Sequence, residues 1–192
     1  MKDLGTLAGV ISVGKAINND GQVTGLTKTA NGTATAFLYT GGKTADLGIV
    51  AGGTYSEGTF INSAGVVAGT SGTPGVSVHA VIFNAGGLTD LGTLGGTNST
   101  GIGINASGQV AGYSEIAGVT PYRHAFFYAP GIGLQDIGTL GGPESIAQGI
   151  NDTGAVVGYS GLAVVSPPHA FLYTNGAMAD LGTLPVGATW FR

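Results

Sequence analysis

One phrase, returning five times at nearly constant spacing, constrains this chain more than any other feature. It reads DLGTL at Asp3, DLGIV at Asp46, DLGTL at Asp90, DIGTL at Asp136 and DLGTL at Asp180, at intervals of 43, 44, 46 and 44 residues. A period of this size marks a repeat architecture in which each copy is one supersecondary unit stacked on its neighbours. Three further phrases recur between the marks in fixed order. GKAIN, GTFIN, GIGIN and AQGIN end at Asn18, Asn62, Asn105 and Asn151; QVTGLT, VVAGTS, QVAGYS and VVGYS follow; TAFLYT, HAVIFN, HAFFYA and HAFLYT come third.

Each phrase is short, rich in Val, Ile, Thr, Phe and Tyr, and bounded by turn residues, which predicts a strand. After the first strand stand NNDG, NSAG, NASG and NDTG. Their Asn accepts a local backbone hydrogen bond and their Gly takes the positive φ of a bulged hairpin. TGGK, NAGG and TNGA close the hairpin after the third strand. Four antiparallel strands in such a unit match the roughly 40–50 residues of a propeller blade. The expected fold is therefore all-β, a β-propeller of four-stranded antiparallel blades of about 44 residues, filling residues 1–192 as a single repeat domain. The blades are expected at 10–51, 52–95, 96–141 and 142–185, with an extra outer-type strand in 1–9 and a tail at 186–192. A β-solenoid fits less well, because its coils are shorter and need no hairpin at every junction. Space is tight near a propeller axis, so the Asn-ending strand, filled with Gly, Ala and Ser, is expected innermost and the DLGTL phrase outermost.

Composition narrows the function. With 38 Gly and 7 Pro in 192 residues, long helices are disfavoured and turns are well supplied, while 43% apolar residues suffice for a core. Six scattered Lys and Arg against ten Asp and Glu form no basic patch, so no nucleic-acid partner is expected. The absence of Cys excludes disulfides and thiolate zinc sites. No apolar stretch approaches the roughly 18 residues of a spanning helix, so no membrane span is expected. The chain shows no GxSxG elbow, no HExxH and no GxxxxGK, and no cofactor is implied.

The succession DLGTLGG, a GIN segment, VVGYS and HAFLYTNG resembles the HAF-type extracellular repeat of exported bacterial proteins, in four copies from Asp3 to Leu184. His124-Ala125-Phe126 and His169-Ala170-Phe171 carry the triplet; His79-Ala80-Val81 departs at its third residue and Thr35-Ala36-Phe37 at its first. The resemblance implies an extracellular or cell-surface location, with the export signal outside this chain, and no specific activity.

The recurring His and Asp stand 11 residues apart in His79/Asp90 and His169/Asp180 and 12 apart in His124/Asp136. A two-residue turn at Asn175-Gly176 makes them diagonal neighbours on one face of the outer hairpin. A base oriented by a carboxylate is needed once, not in every blade, so the pairs read as a buried structural network. Asp46 persists where Thr35 replaces His, so the carboxylate also serves backbone amides. A zinc shared by His79, His124 and His169 would need all three within about 2.0–2.1 Å of one point, which a ring of blades does not allow, so no metal is expected. Function is sought where copies differ. The connections between second and third strands, and those into the next blade, emerge at one end and carry Tyr55, Glu57, Glu115, Tyr122, Arg123 and Glu144. Aromatic rings beside carboxylates suit a glycan or peptide, which predicts a binding module. The alternative is a glycan-directed hydrolase or lyase built on the same acids. The surplus outer-type strand at Asp3 leaves three expectations open: a homodimer through blade edges, a closed four-bladed monomer in which one outer strand displaces the other, or a segment of a longer propeller.

Overall fold

The computed structural model describes residues 4–5, 7, 9–30, 32–73, 77–118, 122–163 and 167–183, and these form sixteen strands without a helix. Blade 1 contains β1 (Ile11–Ile17), β2 (Val23–Lys28), β3 (Ala34–Thr40) and β4 (Lys43–Gly48). Blade 2 contains β5 (Ser56–Ile61), β6 (Val67–Gly72), β7 (Val78–Asn84) and β8 (Gly87–Asp90). Blade 3 contains β9 (Gly95–Ile104), β10 (Val110–Ile116), β11 (Arg123–Ala129) and β12 (Gly133–Asp136). Blade 4 contains β13 (Gly141–Ile150), β14 (Val156–Leu162), β15 (His169–Thr174) and β16 (Ala177–Gly182). Every blade is an antiparallel meander with its strands hydrogen-bonded in chain order.

The first strands of blades 2, 3 and 4 each lie against the first three strands of the blade before, so that successive first strands touch. The Asn-ending strands are thus innermost. Each carries a bulge near its middle, shown by register shifts at Gly14/Ala16, Gly58/Phe60 and Ala147/Gly149 and between Gly101 and Gly103. The bulged backbone crowds the second strand. A Cβ at Gly25, Gly69, Gly112 or Gly158 would stand 1.9–2.0 Å from the carbonyl oxygen of Val13, Glu57, Thr100 or Ile146, which is why each second-strand phrase carries Gly there.

The DLG phrase ends the outer strand instead of forming it. Asp46, Asp90, Asp136 and Asp180 each accept the amide of the Gly two residues on, at 2.7–2.8 Å. Those glycines take φ of 70–82°, which turns the chain out of the strand towards the next blade. The core lies between blades: Ala68, Ala80 and Ile82 of blade 2 pack on Val110 and Phe126 of blade 3, and Ala111, Ala125 and Ile137 of blade 3 pack on Val156 and Phe171 of blade 4.

The surplus N-terminal strand takes another form. Leu4, Gly5 and Leu7 are in no strand, and Asp3 and Thr6 lie outside the described residues, as does the tail at 186–192. The segment stays with blade 1, where Ser12 Oγ donates to the Gly5 carbonyl at 3.1 Å and Thr44 Oγ1 to the Leu4 carbonyl at 3.1 Å.

Candidate functional site

Three repeated polar devices hold the blades together, and their geometry separates scaffold from candidate site. The first is a serine rivet. Ser56, Ser99 and Ser145, all buried, accept the amides of Ala36, Ala80 and Ala125 on the preceding blade at 2.8–2.9 Å. The same hydroxyls donate to the carbonyls of Gly48, Gly92 and Gly138 at 2.5–2.6 Å, so each serine grips two backbone groups of the preceding blade. The second is an Asn ladder: the side-chain amides of Asn18, Asn62 and Asn105 donate to the carbonyls of Asn62, Asn105 and Asn151, each at 2.9 Å. Their Oδ1 atoms accept amides two and four residues on, so one residue both closes the hairpin and joins the blades. The sequence reading assigned Asn the turn role and missed the ladder. It also missed the serine, which stands six residues before the Asn in every copy, at Ser12, Ser56, Ser99 and Ser145.

The third device is the His–Asp pair. His79 Nδ1 lies 2.9 Å from Asp90, His124 Nδ1 2.8 Å from Asp136 and His169 Nδ1 3.0 Å from Asp180. The pairs are not buried: all three Asp are exposed and the rings are partly covered. The expectation of a buried network is corrected on this point, because the pair sits on the outermost two strands of its blade, where the Asp side chains face solvent. The Gly182 amide and then His169 hold the Asp180 carboxyl below its usual range. Among the described residues no group of three or more His, Asp or Glu is placed to hold a metal.

The six rim residues fall into two clusters at seams between blades. At the seam of blades 1 and 2, Tyr55 donates its hydroxyl to Glu57, and Lys15 Nζ lies 2.9 Å from Glu57 Oε1, a buried oxygen that makes no other bond. Burial, followed by the hydrogen bond to Glu57, pushes the Tyr55 hydroxyl up to about 12. At the seam of blades 3 and 4, Arg123 reaches Glu144 through Nε at 3.0 Å and Nη2 at 2.9 Å, with its guanidinium 5.1 Å from the centre of the Tyr113 ring. Glu115 sits beside Arg123 in register and accepts the Asn98 side-chain amide at 3.0 Å and the amides of Thr97 and Asn98 at 3.1 and 3.2 Å. The Asn98 side chain first, and then those amides, hold Glu115 below the usual carboxylate range. Tyr122, which precedes Arg123 in the chain, is exposed.

Placement differs from expectation in one respect. Glu57, Glu115, Arg123 and Glu144 are strand residues, in β5, β10, β11 and β13, because the strands run on into the stretches read as loops. Residues 74–76, 119–121 and 164–166 and Asn31, which in sequence fall between second and third strands, lie outside the described residues. Tyr55, Asn98 and Glu144 occupy one repeated position, facing Ala34, Val78 and Arg123 across successive seams. The copies diverge there.

Clefts also open at the opposite rim, which the sequence reading left out. One of ≈ 540 Å³ lies between Leu38 and Leu47 of blade 1 and Val66 and Phe83 of blade 2, with Gln22 and Asn84 at its edge. Another of ≈ 230 Å³ repeats the place one seam on, between Ile82 and Thr89 and the ring of Tyr128. The clue lay in the polar and aromatic residues of the hairpin turns.

No protein-family model matches the chain, and no curated protein does. Among solved structures it is similar to TolB from Acinetobacter baumannii, with a TM-score of 0.54 and 11% identity over 84% of this chain and 40% of the TolB chain. The chain has the β-propeller fold. This chain therefore spans 40% of the TolB length, and at 11% identity the likeness concerns fold alone. Within the propeller, no helix among the described residues is long and apolar enough to cross a membrane.

Proposed function

We propose that this propeller is an extracellular binding module of the HAF-repeat type, which holds a glycan or peptide at the seam of blades 3 and 4. The observation that carries the reading is the Arg123–Glu144 pair. It is fixed by two hydrogen bonds, supported by the Tyr113 ring and half-exposed, and the residue before Arg123 in the chain is the exposed Tyr122. Prearranged polar groups beside an aromatic face bind with little ordering cost, because their rotamers are already chosen. The repeat phrases support export; the divergence of Tyr55, Asn98 and Glu144 at one repeated position supports recognition there over scaffold. Tyr55 and Glu57 offer a second, more closed contact on the same rim.

The hydrolase reading gains no support from the acids. A general acid needs a raised carboxyl, whereas Glu115 is held low, and Glu57, Glu115 and Glu144 are each engaged by their own donors. Glycan and peptide arrays probed with the intact chain test the proposal. Binding that falls at least tenfold in both Tyr122→Ala and Arg123→Ala is the expected result. Binding untouched by either change, or none on either array, overturns it.

A further inference from the structure

The two clefts of the hairpin-turn rim share a wall. The larger, ≈ 540 Å³, lies at the seam of blades 1 and 2, and the smaller, ≈ 230 Å³, at the seam of blades 2 and 3. Val66 and Asn84 of blade 2 line both, so the clefts make one groove across that blade. The larger has the volume of a ligand site. Its room has a local cause. Leu38 stands in the place that Phe127 takes on blade 3, where Phe127 packs with Tyr173 on the core between blades 3 and 4. Phe83, in the place of Tyr173, is buried and forms a wall of the larger cleft, and the shorter Leu38 leaves open the space that a phenylalanine ring would take.

Charge and hydrogen bonding define the occupant. Among the described residues, no Asp, Glu, Lys, Arg or His lines either cleft, in contrast to the rim of Glu115, Arg123 and Glu144. A ligand charge placed there would lose water without gaining a counter-charge. In the larger cleft the polar side chains are Gln22 and Asn84. Gln22 is committed at both ends: its Oε1 accepts the Asn18 side-chain amide at 2.6 Å and its Nε2 donates to Thr40 Oγ1 at 3.3 Å. Asn84 Oδ1 accepts the Gly86 amide at 2.8 Å, which orients Nδ2 as a donor without a partner among the described residues. The larger cleft therefore offers the aliphatic walls of Leu38, Leu47 and Val66 and one free side-chain donor. A sugar ring, with hydroxyls on every side, would bury several of them unpaired. An extended peptide needs one donor for a backbone carbonyl and a pocket for the side chain beside it. The smaller cleft adds the Tyr128 ring and the hydroxyls of Thr89 and Ser107, which suit a small side chain two residues along.

We propose that this groove binds an extended, uncharged peptide segment. An apolar side chain fills the larger cleft, a small one enters the smaller cleft, and a backbone carbonyl between them accepts from Asn84 Nδ2. Alternate residues of an extended chain project to one side, so one segment reaches both clefts across the shared wall of Val66 and Asn84. The groove lies on the rim opposite Arg123 and does not rest on what that rim binds.

A pool of end-capped synthetic hexapeptides built from Leu, Phe, Ala, Ser, Asp and Lys tests it, by selection on the intact chain and fluorescence anisotropy of the selected members. Cellohexaose serves as the neutral sugar competitor. Two variants accompany the parent. Leu38→Phe installs the residue that the fold already accepts at Phe127, and Asn84→Asp removes the free donor and brings a charge into the groove. The selected peptides should lack Asp and Lys and carry Leu or Phe two residues from Ala or Ser. Their affinity should fall at least tenfold in each variant, with the circular dichroism of the parent retained. Should Leu38→Phe fail to fold, Asn84→Asp decides alone, because Asn84 is exposed at a turn. An empty selection overturns the proposal, as do equal recovery of charged peptides, full affinity in Asn84→Asp and displacement by cellohexaose. Peptides that ignore both variants but are lost in Arg123→Ala also overturn it, and leave the reading of the Arg123 rim standing.

Discussion

The seams between blades and the outer hairpins each carry a polar pair repeated in three copies, and the two behave differently. At the seams, Ser56, Ser99 and Ser145 are sealed from water and each holds an amide and a carbonyl of the preceding blade. On the outer hairpins, His and Asp meet at similar distances in the open. Water replaces a lost partner at an exposed site at little cost, but a buried donor left without one bears its full desolvation penalty. Repetition therefore marks a residue as scaffold, while burial decides how much the scaffold depends on it.

The largest effect should come from the seam side, at the glycine under the bulge. Gly112→Ala places a methyl group 2.0 Å from the Thr100 carbonyl oxygen and 2.8 Å from the Phe126 ring, backbone and core that cannot give way. A loss of about 3 kcal/mol or more, read by denaturant unfolding, is expected. Ser99→Ala strands the Ala80 amide and should cost about 1–3 kcal/mol with the far-UV spectrum unchanged. His124→Ala should cost less than about 1 kcal/mol. An equal loss for His124→Ala and Ser99→Ala would break the comparison outright.

Two pH effects sharpen it further. Tyr55 is raised from 10.0 to about 12, so its contribution is complete below 10 and disappears as pH rises through about 12. Tyr55→Phe should remove the latest phase of the tyrosinate absorbance titration. The smallest effect belongs to Glu115, whose lowered carboxyl contributes above the ordinary carboxylate range and loses that contribution as pH falls through its depressed value. Glu115→Gln should flatten the acid limb of the melting temperature slightly; an unchanged limb would show that the Asn98 contact carries no net stability.

Much of the architecture was legible because it is written in local chemistry. The Asn-x-x-Gly turns fix Gly21, Gly65, Gly108 and Gly154 at φ of 72–81°, as the hairpin requires. Alternating β-branched and aromatic residues then mark the strands between the turns. The outer strand was misplaced by a few residues, because DLG resembles strand sequence until Asp is seen to cap its own turn. The candidate site was legible in part: the divergent positions do gather at one rim, but their grouping by seam depends on register across blades, which no single copy contains.

The sequence by itself determined the repeat, the four strands of each blade, their order and the small residues that let the innermost strands crowd together. These follow from backbone turns and side-chain periodicity, which act over a few residues and so leave a local record. Only the tertiary structure decided that the serine is buried and the His–Asp pair exposed, and that Arg123 reaches Glu144 on the next blade. Those properties depend on what lies across a face. Equivalent residues in equivalent repeats differ in them because each seam sets two different copies face to face.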